Sequence, residues 1–450
     1  MTSVAAVTTL RRRATDPAVK GWSIAVAVYF LAMIHRSSLG VAGLLAERRF
    51  AITAGQLGVF VMLQIGVYAA MQIPTGVLVD RYGPRRLLVT ASSLMALGQL
   101  VFAVAPSYPT ALLARALLGC GDAMTFISVL RFVAARFSAR RYPALVALTG
   151  VVGTAGNVLA TLPLALLLQH AGWTYSFASI ALLSLGAAVA VWVLLDDRTA
   201  APPRLRTSRE VRLGILAVGR RVASSWALPG TRLGFWAHFA CMSTATTFGI
   251  LWGEPYLVDG AGFGTAAAST VLMIAVFTSG VCGPVVGWLI GRRPAVRIPL
   301  AFVVCAITIV GWLTVVLAMG DHPPRAFVAS LYVFTMLGAP ASMVAFAVAR
   351  DYNHARILGT ASGVVNVGGF VATVVIALGF GETLNLLGGT NAHHMRLALL
   401  VPLAVQLFGT IRIAVWHRRL RHTVLHWQRE GKPVPVTVAR RYWWDLPEPR

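Results

Sequence analysis

Four residues of this sequence stand where charge is costly. His35, Arg36, Arg115 and Asp122 each fall inside a long stretch of apolar and small residues. At the centre of a hydrocarbon layer an arginine or aspartate costs roughly 2.5–3.5 kcal/mol on insertion scales, so such a group faces a water-filled cavity or a partner. Arg36 sits about 21 Å along the first apolar stretch if that stretch is helical. Its guanidinium is planar, permanently charged and shaped to grip a carboxylate through two parallel bonds. It is a candidate anchor for an anionic substrate. The other reading is an ion pair with a carboxylate on another helix. Tyr29, two helical turns earlier, shares its face. Arg115 and Asp122 are likewise seven residues apart and share a face. An aspartate balanced between burial and a nearby arginine can exchange a proton near neutral pH, as a proton carrier must. A permanently ionised pair is the alternative. His35 is a rival carrier, because free imidazole titrates at about pH 6.5.

Neutral polar residues recur at helical spacing. Gln64, Tyr68 and Gln72 are four apart, as are Asn157 and Thr161, and Ser362 and Asn366. Such groups bond hydroxyls without carrying charge, or join helix to helix. The candidate substrate contacts are therefore Arg36, Tyr29, Tyr68, Gln64, Asn157 and Asn366. The candidate proton-coupling residues are Asp122, Arg115 and His35. His238 reads as a core residue, and Gly150, Gly153 and Gly156 as close helix contacts. No P-loop occurs, so ATP is not the expected energy source. Cys120, Cys241, Cys282 and Cys305 are scattered without a CxxC, and His393-His394 is a lone pair. Neither a disulfide framework, a metal site nor a cofactor is expected. With no catalytic set, an enzyme is not expected either.

Elements long enough to hold these residues follow from composition. Of 450 residues, 57% are hydrophobic and 12% charged, against about 25% charged in a soluble domain. A single soluble globule is excluded. Apolar runs near the ~20 residues that cross a ~30 Å hydrocarbon core recur along the chain, and a barrel would show alternating segments of about 10 instead. The expectation is an all-α integral membrane protein with twelve transmembrane helices in two pseudo-symmetric six-helix bundles. The bundles are expected at 22–195 and 233–416, between an N-terminal segment 1–21, a linker 196–232 and a basic tail 417–450. The net charge of +24 does not indicate nucleic-acid binding, because the arginines are dispersed among loops. With the N-terminus inside, 31 of the 39 basic residues fall in cytoplasmic segments, once Arg48, Arg49, Arg325 and Arg396 in outer loops and Arg36, Arg115, Arg131 and Arg412 within spans are set aside. The positive-inside rule then places both termini and the linker in the cytoplasm. Arg11, Arg12 and Arg13 precede a first span too long for a signal peptide, so it reads as an uncleaved helix. In the linker, Val211, Ile215, Val218 and Val222 recur on one helical face with Arg209, Arg212, Arg220 and Arg221 elsewhere. This fits a helix lying on anionic lipid, or a solvated basic linker. Trp416, Leu420, Val424 and Trp427 could extend the last helix along the interface until Pro433 and Pro435 stop it.

One loop is more specific. Gly76-Val-Leu-Val-Asp80-Arg81-Tyr82-Gly83-Pro84-Arg85-Arg86 lies between the second and third spans. Gly76 permits close packing and Gly83 a tight turn. Asp80 is placed to bond a helix N-terminus or an arginine. Every position of the pattern G-x-x-x-D-R-x-G-x-R-R is filled, and the segment resembles the loop signature of the major facilitator superfamily. That resemblance implies a gating role for Gly76, Asp80, Arg81, Gly83, Arg85 and Arg86. The equivalent loop between spans eight and nine reads Gly287-Trp-Leu-Ile-Gly291-Arg292-Arg293, with glycine in the acid's place. A weaker latch is expected there. His35-Arg36, Tyr68 and Gln72, and Arg115 with Asp122 together look like the anion:cation symporter branch, which carries sugar acids and other organic anions with protons or sodium. That branch has Asp-Arg in the first helix and Arg with a distal Glu in the fourth. Here His35 replaces the Asp and Asp122 replaces the Glu.

The resemblance implies a secondary transporter of the cell membrane, acting as a monomer in the lipid bilayer, that imports a small organic anion with protons by alternating access. A proton-coupled exporter of drugs or metabolites is the alternative within the family. An exporter would more often show Gly-Pro in helix five, whereas Pro163 lies beyond Gly156 here. A non-transporting membrane sensor is the alternative outside it, suggested by the tail with Tyr442-Trp443-Trp444.

Overall fold

The computed structural model describes residues 16–196 and 215–438. The described residues are helical, and no strand occurs among them. Among the described residues, ten stretches are long and apolar enough to cross a bilayer. The first six spans are Pro17–Phe50, Ala54–Tyr82, Pro84–Val104 and Tyr108–Arg136, then two that run together as Tyr142–Leu194. The last pair divide at Gly172, whose φ of 71° breaks the helix. Only glycine enters that region without strain. The seventh span runs from Pro229–Thr247 through two π turns, Phe248–Trp252 and Tyr256–Gly260. It carries His238, Ser243, Thr244 and Thr247 on its buried side. Thr265–Arg292 and Arg297–Ala318 are the eighth and ninth spans. The tenth is assembled from Arg325–Thr335, Gly338–Ser342 and Val344–Tyr352, the eleventh is Leu358–Leu387, and the twelfth is Ala392–Ala398 with Leu400–Arg429. The twelve-helix arrangement of the sequence reading is the observed one.

The chain forms two compact units, one of Met1–Ser138, Thr149–Val222 and Ala355–Gly363, the other of Ala139–Leu148, Ala223–His354 and Val364–Arg450. In the first, an aromatic core gathers Phe60, Phe102, Trp173 and Phe177. The Phe102 ring meets Phe60 edge-on at 6.0 Å and Phe177 at 5.1 Å. In the second, Phe248, Tyr256, Trp312, Tyr332 and Phe380 play the same part. The polar tips of these rings are answered: Tyr332 donates to the Phe248 carbonyl at 3.0 Å, and Trp312 Nε1 to Thr335 Oγ1 at 2.9 Å. A π turn leaves carbonyls off the regular ladder, so the Tyr332 bond supports the first of them.

Two elements outside the spans differ from expectation or lie beyond view. The linker helix is Ile215–Ala227, with Arg220 exposed and Val222 half-buried. Val211, Arg209 and Arg212 lie outside the described residues, as do Arg11 to Arg13 and Tyr442-Trp443-Trp444. The twelfth helix does continue to Arg429, but Trp416, Leu420 and Val424 are buried at 6%, 5% and 2% exposure. This helix packs on the seventh and ninth spans. An apolar stripe needs only an apolar neighbour, and here protein supplies it where a membrane surface was expected.

Candidate functional site

Arg36 and Asp122 meet. Arg36 Nε donates to Asp122 Oδ2 at 2.9 Å, and Nη2 lies 2.8 Å from the same oxygen. The contact joins the middle of the first span to the middle of the fourth. The two partners differ in access: the Arg36 side chain is 24% exposed and that of Asp122 1%. The guanidinium lies over the Tyr68 ring, 4.5 Å from its centroid. Tyr29 packs against Phe126 at 5.3 Å and lies so close to Gly153 that a Cβ there would stand 2.4 Å from its ring. Only glycine in the fifth span leaves room for Tyr29 beside Arg36. Asp122 Oδ1 is buried without a hydrogen-bond donor among the described residues. A buried carboxylate oxygen left unbonded is costly, so the charged form of Asp122 depends on Arg36.

Arg115 is not part of that pair, contrary to its expected place beside Asp122. Its Nη1 donates to Gln64 Oε1 at 3.1 Å and to the His35 carbonyl at 3.3 Å, and the guanidinium lies 4.3 Å from the Phe102 ring centroid. Seven residues bring two side chains to one face but separate them by about 10 Å along the axis. Each therefore meets what the neighbouring helices present at its own height. Gly119 lets the second and fourth spans close up, since a Cβ there would lie 2.6 Å from the Gln64 carbonyl. Arg115 is fully buried, and its Nε and Nη2 have no hydrogen-bond partner among the described residues.

His35 turns away from Arg36. Its Nδ1 is 2.8 Å from Gln99 Oε1 and its Nε2 2.7 Å from Ser184 Oγ, and the ring is fully buried. Successive residues of a helix point about 100° apart, so Arg36 and His35 cannot serve the same space. Gln72 donates to the Tyr68 carbonyl at 3.1 Å. Asn157 is half-buried on the fifth span. Asn366 belongs to the second unit, where its Oδ1 is 3.1 Å from His238 Nε2, and His238 Nδ1 is 3.4 Å from the Ser342 carbonyl.

The loop signature forms a joint. Asp80 accepts from the Gly359 amide at 2.8 Å and from the Thr360 amide and hydroxyl at 2.7 and 2.8 Å. The Arg131 guanidinium lies 3.4 Å away. Gly359 and Thr360 open the eleventh span, where amides lack intrahelical partners and the helix dipole favours an anion. Gly76 brings the backbones together: a Cβ on it would lie 2.4 Å from the Gly359 carbonyl. Gly83, at φ 82°, makes the turn into the third span. Arg85 lies over the Trp192 ring at 4.9 Å and donates to the Trp192 carbonyl, and Arg81 lies over Tyr82 at 5.3 Å. Arg86 is exposed. In the second unit the corresponding Gly291 faces backbone at once, its added Cβ falling 2.3 Å from the Arg140 carbonyl. A side chain has no room there.

Sequence reasoning missed Gln99 and Ser184 around His35, Phe102 beneath Arg115, and Thr360 opposite Asp80. Gln99 carried a usable signal, being an amide in an otherwise apolar third span. Phe102 and Thr360 carried none, because their types are ordinary for their helices. No cluster of His, Cys, Asp or Glu suited to a metal occurs among the described residues.

The chain is 24% identical over 276 residues to the probable sulfoacetate transporter SauU of Cupriavidus necator, covering 59% of this chain and 63% of that protein. It is 25% identical over 174 residues to the probable L-galactonate transporter of Escherichia coli K12, covering 38% of each. The chain thus spans less than two thirds of these curated relatives. Among solved structures it superposes on the major facilitator superfamily transporter FucP with a TM-score of 0.64 at 16% identity, over 88% of this chain and 99% of that one. The proton:xylose symporter XylE gives 0.62 at 14% identity, over 88% and 94%. These likenesses show the fold. The profile of the Major Facilitator Superfamily matches residues 25–440. The chain belongs to the Major Facilitator Superfamily, a family of membrane transporters and not of enzymes.

Proposed function

We propose that this transporter imports a small organic anion together with protons by alternating access, and that Arg36 and Asp122 are the coupling pair. The observation that carries this reading is the ion pair itself: a partly exposed arginine held by a fully buried carboxylate with one oxygen unbonded. An incoming carboxylate or sulfonate competes with Asp122 for the Arg36 fork. Once displaced, Asp122 is a buried anion without its cation, and taking one proton removes that cost. The loaded state then holds a neutral Asp122, a paired Arg36 and the substrate anion. Release reverses both steps, so anion and proton move together. Tyr68 and Tyr29 shape the space beside Arg36, and Asp80 with its loop fixes the joint to the eleventh span. The names of the two curated relatives, a sulfoacetate and an L-galactonate transporter, support an anionic cargo.

Purified protein in vesicles with an imposed pH gradient tests this with labelled sulfoacetate and L-galactonate. Uptake of at least one of them against its gradient, driven by outside acid and abolished by a proton ionophore, is the expected result. Uptake indifferent to the pH gradient would refute proton coupling. The proposed setting is the plasma membrane with both termini and the linker cytoplasmic. A cysteine at Ser208, in a cysteine-free background, should then react with an impermeant maleimide only after permeabilisation. Labelling in intact cells would reverse the orientation.

A further inference from the structure

Arg412 is a charge inside the twelfth span that the transport site does not use. The seventh and twelfth spans run side by side in opposite directions and share two arginine–tryptophan contacts. Arg232 lies over the Trp416 ring at 4.6 Å, and one turn further into both spans Arg412 lies over the Trp236 ring at 5.1 Å. At 1.5 Å per residue the second contact is about 6 Å deeper. The two arginines are not equally served. Arg232 Nε also donates to the Trp226 carbonyl at 2.6 Å. Arg412 has the ring alone: its Nε is buried without an acceptor, and among the described residues no hydrogen bond or ion pair reaches the guanidinium. Trp236 Nε1 is buried without an acceptor too. A cation–π contact offsets only part of the cost of an arginine within the hydrocarbon layer.

The surroundings of Arg412 are lipid-facing. Phe408, one turn before it, is 51% exposed and Ile411, the residue before it, 53%. The Phe408 ring packs on Trp236 at 5.3 Å, so ring, guanidinium and apolar surface form one patch. Arg412 itself is half-buried. Six residues on, about 9 Å along the helix, Arg418 and Arg419 are exposed beside Trp416. Aromatic rings among arginines at the end of a span mark the level of lipid headgroups. Arg412 thus lies just below that level, where a side chain reaches toward the interface and the bilayer thins toward the charge. The acceptors that a bilayer offers there are headgroup oxygens.

We propose that the Arg412–Trp236 patch is a binding site for an anionic phospholipid, whose phosphate meets the Arg412 guanidinium and whose acyl chain lies on Phe408. Charge decides between lipids. Arg412 has no counter-ion among the described residues, and the phosphate of an anionic lipid supplies one. In a zwitterionic lipid the phosphate is already balanced by the lipid's own ammonium group. A free phosphate would meet the guanidinium but leave the apolar surface uncovered. The site is independent of the transport reading, because neither Arg412 nor Trp236 belongs to the Arg36–Asp122 pair.

Native mass spectrometry of the full-length protein, titrated with phosphatidylglycerol or with phosphatidylcholine of the same chains, tests this. Phosphatidylglycerol should bind in preference to phosphatidylcholine. Arg412→Gln should weaken phosphatidylglycerol binding about fivefold, the factor for one arginine beside an anionic headgroup, and leave phosphatidylcholine unchanged. Arg356→Gln, an exposed arginine before the eleventh span, should leave both unchanged. Arg412→Leu, which suits a lipid-facing position, is the second variant should Arg412→Gln not yield folded protein. Equal losses from the Arg412 and Arg356 variants would show attraction to general positive charge and overturn the site. No loss from either Arg412 variant would overturn it too. Displacement of the lipid by glycerol phosphate at similar concentration would make the ligand a soluble phosphate and overturn the assignment to a lipid.

Discussion

The two units place different chemistry in their interiors. The first buries Asp80, Arg115, Asp122 and Arg131, together with His35. Among the described buried polar side chains of the second, Arg297 alone carries a permanent charge, and it is paired with Asp351 at a span end. The middle of the second unit relies on neutral groups: His238 on Asn366, and Thr244 on Gln406 at 3.2 Å. A charge in a membrane interior survives only with a partner or water, so each buried charge restricts which conformations the unit can adopt. Neutral amides and hydroxyls form bonds of about 1 kcal/mol that break without stranding a charge. The proposed proton coupling therefore falls to the first unit, while the second is held by neutral bonds that rearrange at less cost.

The comparison is broken most directly at Arg36. Arg36→Lys keeps the charge but loses the planar fork. We expect uptake to fall about a hundredfold, as the loss of roughly 3 kcal/mol from a charge-assisted double contact implies. Initial rates in vesicles normalised to protein content check it. The matching change in the second unit, His238→Gln, should lower uptake at most about fivefold, as one neutral bond would. Equal losses from the two would erase the distinction between the units.

Stability separates the two loops next. Gly76→Ala forces a methyl to within 2.4 Å of the Gly359 carbonyl and should cost about 1–3 kcal/mol by overpacking. Gly291→Ala meets the Arg140 carbonyl at 2.3 Å and should cost a similar amount. Asp80→Asn differs: it removes a charge that three donors share, and each bond to a charged group is worth about 1.5–3 kcal/mol. Thermal unfolding in detergent should rank Asp80→Asn at least as damaging as either glycine change. An unchanged midpoint for Asp80→Asn would show that the joint is held by the glycines alone.

How far the sequence could be read follows the same division. Span number, the break between spans five and six, and the turn at Gly83 follow from hydropathy and glycine chemistry, which are local. The partner of Asp122 was only half legible: the sequence allowed Arg36 an ion pair with a carboxylate on another helix without saying which. Spacing places Arg115 on its face, but partner choice depends on the height at which Arg36 crosses the fourth span. His35 looked like a rival carrier because it occupies a position that resembles an acid elsewhere. Its ring is instead enclosed by Gln99 and Ser184. Burial of the last helix was hidden for a related reason, since an apolar stripe reads the same against lipid as against protein.

His35 yields the smallest expected effect and sharpens the assignment. His35→Gln keeps hydrogen-bonding groups for Gln99 and Ser184. Uptake driven by pH should stay within about threefold of the original, the ~0.6 kcal/mol of one imperfectly replaced neutral bond. Loss of accumulation with retained exchange would transfer the proton to His35.

The central claim is that Asp122 carries the coupled proton, and Asp122→Asn tests it in the same vesicles. The amide mimics the protonated acid, so Arg36 is permanently available to substrate. Exchange of labelled for unlabelled anion should persist, while accumulation driven by an imposed pH gradient should vanish. If Asp122→Asn still concentrates its substrate against the gradient, the proton travels elsewhere and the coupling assigned to the Arg36–Asp122 pair is wrong.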